Sequence, residues 1–213
     1  MSLVLPDGVT LYFARHGETV ANVEKRFSGK KDTPLTPRGR EQACAIGLAL
    51  KRDVPGFAAL DYVASPLARA RATMEIVRTV LDLPPDDYRL EPRIAEIDLG
   101  RWDQLTDAEA RALDPAYFDR RAADKWNVPV PGGEDYAQVA ARLRGWVTGL
   151  AADTFAVSHG AATRILRGLF AGLDAARMSA LDEPQGVVFR VRGSAVEMLP
   201  PADGAVSNPK PIG

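Results

Sequence analysis

Short, almost wholly apolar runs alternate along this chain with helical stretches that carry a single apolar stripe. That alternation restricts the fold more than any other feature. Val9-Thr10-Leu11-Tyr12-Phe13-Ala14 is β-branched, aromatic and nearly all apolar, the pattern of a strand covered on both faces. Thr36-Pro37 opens a helix, with Thr36 as N-cap and Pro37 at the first helical position. Its buried side reads Ala43, Ile46, Gly47, Leu50, spaced i, i+3, i+4, i+7. A short strand, Asp61 to Ala64, precedes a helix with Ala70, Met74, Val77 and Leu81 on one stripe, and a third short strand lies near Leu90. Thr106-x-x-Glu109 is a capping box that starts a helix stopping before Pro115. A longer helix from about Glu134 turns Tyr136, Val139, Leu143, Trp146 and Leu150 inward. Phe155-Ala156-Val157 reads as another strand and Ala161 to Leu173 as another helix. Val187–Val191 and Val196–Leu199 close the chain as a hairpin around Arg192-Gly193-Ser194. The order predicts an α/β fold, a three-layer α/β/α sandwich around a mostly parallel sheet.

A chain of 213 residues, 46% hydrophobic and 26% charged, fits a single domain over 1–213 that needs no metal or disulfide staple. The one cysteine, Cys44, lies beside the first helix's stripe and reads as structural, which excludes a disulfide framework. One Cys and two His leave too few soft ligands for a zinc site, and a carboxylate-rich magnesium site has no recognisable signature here. A net charge of -1 gives no electrostatic reason to expect nucleic acid or an anionic membrane as partner. No apolar run approaches the ~20 residues of a membrane span. The first residues lack a basic leader, so a cytoplasmic location is expected. Residues 99–133 are the least regular internal stretch and are read as a partial lid. The Pro- and Gly-rich stretch 200–213 is read as a mobile tail. The sequence carries no signal of oligomeric state.

Both histidines of the chain sit in matched places. His16 follows the strand ending at Ala14, and His159 follows the strand ending at Val157. A glycine comes directly after each, allowing a sharp turn and a close approach to a ligand. Ligands of open α/β sheets collect at those strand ends. Arg15 is wedged between an apolar strand and His16, where a merely solvated arginine would be out of place. Arg69 stands at the start of a helix, an end that already favours anions, so a cation there suggests a bound phosphate. Arginine's planar fork suits phosphate bidentately. Arg71 points elsewhere and reads as solvated. Gly168-x-x-x-Gly172 reads as helix packing.

Four ordered blocks carry a resemblance that spans the chain from Leu11 to about Leu173. They are Arg15-His16-Gly17-Glu18-Thr19 with Asn22 and Phe27-Ser28-Gly29; Ser65-Pro66-Leu67-x-Arg69-Ala70-x-x-Thr73; Glu96-x-x-x-Gly100-x-Trp102; and Ser158-His159-Gly160. Together they resemble the signature of the histidine phosphatase superfamily, the phosphoglycerate-mutase-like fold. The resemblance implies that His16 is the nucleophile that becomes phosphohistidine and that Arg15, Arg69 and His159 complete the phosphate pocket. Glu96 matches the proton donor and acceptor, and Asn22, Ser28, Gly29 and Gly160 match positions on the substrate side. Glu18 is expected to be structural. Trp102-Asp103-Gln104 stands where many members read Trp-Glu-Gly, and Pro131-Gly132-Gly133-Glu134 resembles an element of the smaller phosphatases.

The implied activity is hydrolysis of a small phosphorylated substrate, with no metal and no cofactor expected. The alternative is a phosphoglycerate mutase using the same chemistry. Mutases usually carry a longer insertion before the second histidine, with basic residues for the substrate carboxylate. Here Gly100–Gly133 is compact, and the Arg120-Arg121 pair is read as surface charge. A non-catalytic phosphate-binding module ranks last, since no member of the catalytic set is missing.

Overall fold

The computed structural model describes residues 2–200, so most of the stretch read as a mobile tail, 201–213, lies outside the described residues. In chain order the strands and α-helices are β1 (Thr10–Arg15), α1 (Val20–Val23), α2 (Pro37–Asp53), β2 (Asp61–Ala64), α3 (Ala68–Val80), β3 (Arg89–Leu90), α4 (Asp107–Leu113), α5 (Pro115–Ala123), α6 (Tyr136–Val147), β4 (Thr154–Ser158), α7 (Gly160–Phe170), α8 (Ala175–Ala180), β5 (Phe189–Arg192) and β6 (Ala195–Met198). The strands form one sheet in the order β3-β2-β4-β1-β5-β6. Pairing is parallel from β3 through β2 and β4 to β1, and antiparallel where the β5-β6 hairpin completes the other edge.

Strand periodicity divides the core in two. Leu11, Phe13, Val63 and Ala156 point to one face, where they meet the apolar sides of α6 and α7. Tyr12, Ala14, Tyr62, Phe155 and Val157 point to the other, against Ile46 and Leu50 of α2 and Met74 and Val77 of α3. This is the expected α/β/α arrangement. Cys44 is free and half-buried. Among the described residues no helix is long and apolar enough to cross a membrane.

The helix ends differ from expectation where a cap was misread. α6 starts at Tyr136, because Asp135 caps it and forms a box with Gln138. It stops at Val147, and Leu150 is buried in the turn beyond. α7 ends at Phe170 rather than Leu173. Gly172 takes φ +65°, Leu173 N donates to Gly168 O at 2.9 Å, and Gly172 N donates to Leu169 O at 3.4 Å, a Schellman stop. A Cβ on Gly168 would lie 2.4 Å from Met178 of α8, so Gly168 serves helix packing as expected, whereas Gly172 serves the helix stop. Residues 99–133 are more regular than expected. Pro115, read as a stop, is also the first residue of α5, with Asp114 accepting from Tyr117 N as its N-cap.

Candidate active site

The register of the two central strands brings the histidines together. Arg15 of β1 lies opposite Ser158 of β4, and the next residue on each strand is a histidine. The two imidazole centroids are 5.1 Å apart. After β1 the chain runs to α2 on one face, and after β4 to α7 on the other, so the pair sits where the connections diverge. β2 flanks β4 and delivers Ser65, whose Oγ is hydrogen-bonded to His159 Nε2 at 2.7 Å.

The glycines after the histidines serve a different purpose from the one expected. Neither has positive φ. A Cβ on Gly17 would lie 2.1 Å from Gly39 O at the start of α2, and one on Gly160 would lie 2.4 Å from Glu183 Oε2. Close approach of the α2 backbone requires Gly17, whereas the neighbour of Gly160 is the end of a flexible side chain. Glu18 is structural as expected, accepting from Thr36 Oγ1 at 2.8 Å beside the α2 cap.

His16 is buried at 2% exposure, and its Nδ1 lies 2.7 Å from Gly17 O. A carbonyl can only accept, so Nδ1 carries the hydrogen and neutral His16 keeps its free lone pair on Nε2. Burial, then the charges of Arg15 and Arg69, hold the imidazole well below its ordinary range. His159 is pushed the same way, by burial first and then by Arg69, His16 and Arg15. Its Nδ1 is buried without a partner.

Arg15 and His16 line a cavity of about 450 Å³ together with Asn22, Ser28 and Glu96. Ser28 Oγ and Arg15 Nε are buried there without a hydrogen-bond partner in the protein. Asn22 completes the α1 capping box with Thr19, accepting from Thr19 N, and its Oδ1 also accepts from Gln185 Nε2 at 3.1 Å. Arg69, Gly29, His159 and Gly160 are buried and do not line this cavity. Arg69 is buried at 1% exposure and donates to Asp32 Oδ1 (2.7 Å), Ser28 O (3.0 Å) and Gly29 O (2.7 Å). It therefore clamps the Ser28–Asp32 loop while lending its charge to both imidazoles. The Asp103 carboxylate holds the same loop, accepting from Gly29 N at 2.8 Å and Lys31 N at 2.9 Å. This is what the Trp102-Asp103-Gln104 departure does here. Arg71 is exposed, as expected.

Glu96 is half-buried and faces the first turn of α7. Its oxygens accept from Ile97 N at 3.0 Å and from Ala161 N and Ala162 N, each at 3.3 Å. Desolvation and then the charge of Glu183 push its carboxyl up, against the pull of the Ile97 N–H, Arg69 and Arg15. Its position is set by a backbone staple. Arg142 donates to Ala95 O at 2.7 Å and to Glu96 O at 3.2 Å, and pairs with Glu134 at 3.0 Å. The Gly132-Gly133-Glu134 element packs so closely under Glu96–Gly100 that a Cβ on Gly133 would lie 2.1 Å from Asp98 O.

Six charged cavity residues escaped the sequence reading as site residues: Arg26, Asp107, Arg121, Lys125, Arg164 and Glu183. Arg121 overturns the reading of Arg120-Arg121 as surface charge. It is 5% exposed, has no ion-pair partner among the described residues, and leaves Nε and Nη1 without hydrogen bonds. Its guanidinium rests 5.6 Å from the Tyr136 ring centroid. The α5 that turns it inward is the helix the sequence reading lacked. Burial lowers Lys125, and the charges of Arg164 and Arg121 lower it further. Arg164 donates to Tyr136 Oη at 3.0 Å and pairs with Glu183 at 3.0 Å. Phe27, Trp102 and Phe118 give the same cavity an aromatic wall, with Trp102 centred 5.9 Å from Phe27 and 5.3 Å from Phe118.

A family model described as "Histidine phosphatase superfamily (branch 1)" matches residues 11–194. The chain is 31% identical over 182 residues to "Bifunctional protein Rv2228c" of Mycobacterium tuberculosis, covering 85% of this chain and 46% of that protein. It thus spans about half the length of that curated relative. To "Probable phosphoglycerate mutase GpmB" of Erwinia tasmaniensis it is 29% identical, over 78% of this chain and 76% of that one. Among solved structures, Bacillus stearothermophilus YhfR superposes with a TM-score of 0.75 at 29% identity, covering 94% of this chain and 98% of that one. A mycobacterial glucosyl-3-phosphoglycerate phosphatase solved with VO3 gives 0.72 at 29% identity, with 90% and 96% covered.

Proposed function

The chain belongs to the histidine phosphatase superfamily, and from that premise we propose that it is a phosphomonoesterase acting through a phosphohistidine on His16. The observation that carries this reading is the hydrogen bond from His16 Nδ1 to Gly17 O, which leaves Nε2 as the only nucleophilic atom of the ring. A phosphomonoester dianion repels a nucleophile until cations and donors surround its oxygens. Arg15 at the cavity wall and the buried Arg69 supply that charge and keep His16 neutral. The Nε2 lone pair attacks phosphorus, the P–O ester bond breaks, and the leaving alkoxide takes the proton held by Glu96. Water then gives a proton to the Glu96 carboxylate and attacks phosphorus, and the P–N bond electrons return to Nε2. The segment 99–133 acts as a partial lid over this cycle.

Every charge in these steps comes from side chains, so full activity is expected in excess EDTA. Loss of activity there, restored by magnesium, would overturn the mechanism.

A second reading is favoured by one observation. The buried, unpaired Arg121 guanidinium, with Lys125 and Arg164 beside it, fits a second anionic group on the substrate, as a phosphoglycerate mutase requires. Phosphatase and mutase separate in one experiment, in which the protein is incubated with 3-phosphoglycerate while free phosphate and 2-phosphoglycerate are followed together. Phosphate release outrunning isomerisation supports the phosphatase, and the reverse supports the mutase.

Arg121→Met is expected to raise KM about 10- to 100-fold for phosphate esters carrying a second anion, the scale of one lost charged hydrogen bond. KM for singly anionic esters should change far less. Because the native guanidinium is buried without a partner, thermal stability should not fall. Equal changes in KM for both substrate types would remove Arg121 from substrate binding.

A further inference from the structure

A carboxylate stands inside this anion site, and the chemistry described so far does not use it. Glu183 lies between α8 and β5. Its main-chain oxygen accepts from Arg15 Nη1 at 2.6 Å, and its carboxylate lies 3.6 Å from the same nitrogen and 3.0 Å from Arg164 Nη2. Its Oε2 is pressed against Gly160, while Glu96 accepts from the next two backbone nitrogens, Ala161 and Ala162. Two carboxyl groups thus converge on the first turn of α7, both in the wall of one cavity.

Two carboxylates sharing so small a volume do not both ionise readily, and the proton settles on the one that water solvates less. Glu183 is ion-paired to two arginines, whereas Glu96 is hydrogen-bonded only to backbone N–H groups and feels Arg69 and Arg15 without pairing to either. We infer that Glu183 is a positioning residue for the acid–base step, the charged member of a carboxyl pair that keeps the proton on Glu96. The inference rests on the proposed role of Glu96 as proton donor.

The other groups facing the pair act differently. From the strand ends come Arg15 and the two imidazoles, both held neutral. Arg69 of α3 lowers Glu96, and Arg142 of α6 holds its carbonyl. On the cavity side stand Arg164, Lys125 and the Tyr136 phenol, which burial pushes up. Among the described residues Glu183 is the one acid whose charge raises Glu96; Asp107, the other acid of the cavity, acts on Lys125.

The test is the pH profile of kcat/KM for ethyl phosphate, whose leaving group requires the proton. Removing the Glu183 charge lets Glu96 ionise at lower pH. Glu183→Gln is therefore expected to move the alkaline limb down by about one pH unit. The limb for p-nitrophenyl phosphate, which requires little protonation, should stay in place. A structural role alone would lower rates without moving either limb, and an unmoved ethyl phosphate limb overturns the assignment. If the amide variant does not fold, Glu183→Asp carries the test. Its shorter arm draws the charge back from Gly160, so the limb should move the same way by a smaller amount, and no movement overturns the assignment. Glu96→Gln separates the two layers of argument. If it leaves the ethyl phosphate limb intact, the Glu96 reading fails. If it abolishes the limb while Glu183→Gln leaves it unmoved, only the Glu183 inference fails.

Discussion

His16→Ala is expected to abolish the covalent phosphoenzyme with every substrate and to lower turnover by roughly 10⁴-fold or more, the scale on which removing a covalent nucleophile acts. The variant keeps the backbone bond from His16 N to Ser158 O that anchors the strand end. It leaves Gly17 O without its imidazole partner, so stability should fall by about 1–3 kcal/mol, not enough to explain the kinetic loss. The wild-type control has a sign of its own. Burial and two guanidiniums hold His16 well below 6.5, so the neutral ring persists as pH falls through that value. Phosphoenzyme formation, followed by rapid quench, should show no decline there from imidazole protonation. A phosphoprotein that still forms in His16→Ala, mapped to another residue, would move the nucleophile elsewhere.

The features legible in the sequence were those set by local pattern. β1 and β4 were readable as strands because they are apolar on both faces, and the histidines as a pair because each follows one of them. That their rings lie 5.1 Å apart comes from the register, Arg15 opposite Ser158, and no local signal states it. The charges were harder. Arg121 in a polar run looks like a solvated face, and only the turn of α5 carries it into the cavity wall beside Tyr136. Asp114-Pro115 carries the signal for that helix, an N-cap followed by proline at the first position, but the same proline is equally the stop of α4. Glu183 had no signal at all. It sits in an irregular stretch before β5 and reaches Arg15 across 168 positions of sequence. Arg69 was placed near the phosphate by its motif, but its hydrogen bonds go to the Ser28–Asp32 loop, a contact that depends on where that loop returns.

Glu96→Gln keeps the shape of the side chain and one oxygen to accept from Ile97 N and Ala162 N, while its amide nitrogen cannot accept from Ala161 N. It removes the proton, and the outcome should depend on the leaving group. A general acid or base is typically worth about 10²–10⁴-fold. With p-nitrophenyl phosphate the leaving group departs with little protonation, so attack by His16 Nε2 survives. Hydrolysis of the phosphohistidine still requires a base for water and becomes the slow step. The variant is therefore expected to release a burst of nitrophenol near one equivalent, followed by slow turnover. An acid-labile, alkali-stable phosphoprotein should accumulate. Ethyl phosphate should give no burst, because its first step also requires the missing proton. The raised carboxyl of the wild type sets the direction of the pH effect. Above the ordinary carboxylate range part of Glu96 still holds its proton, so wild-type phosphorylation by alkyl esters persists there and fades as pH rises through its shifted value. Wild-type turnover of p-nitrophenyl phosphate by Glu96→Gln, without a burst, would exclude Glu96 as the acid and base. Glu183, in the same cavity wall and already ion-paired to Arg164, would then be the carboxyl to replace next.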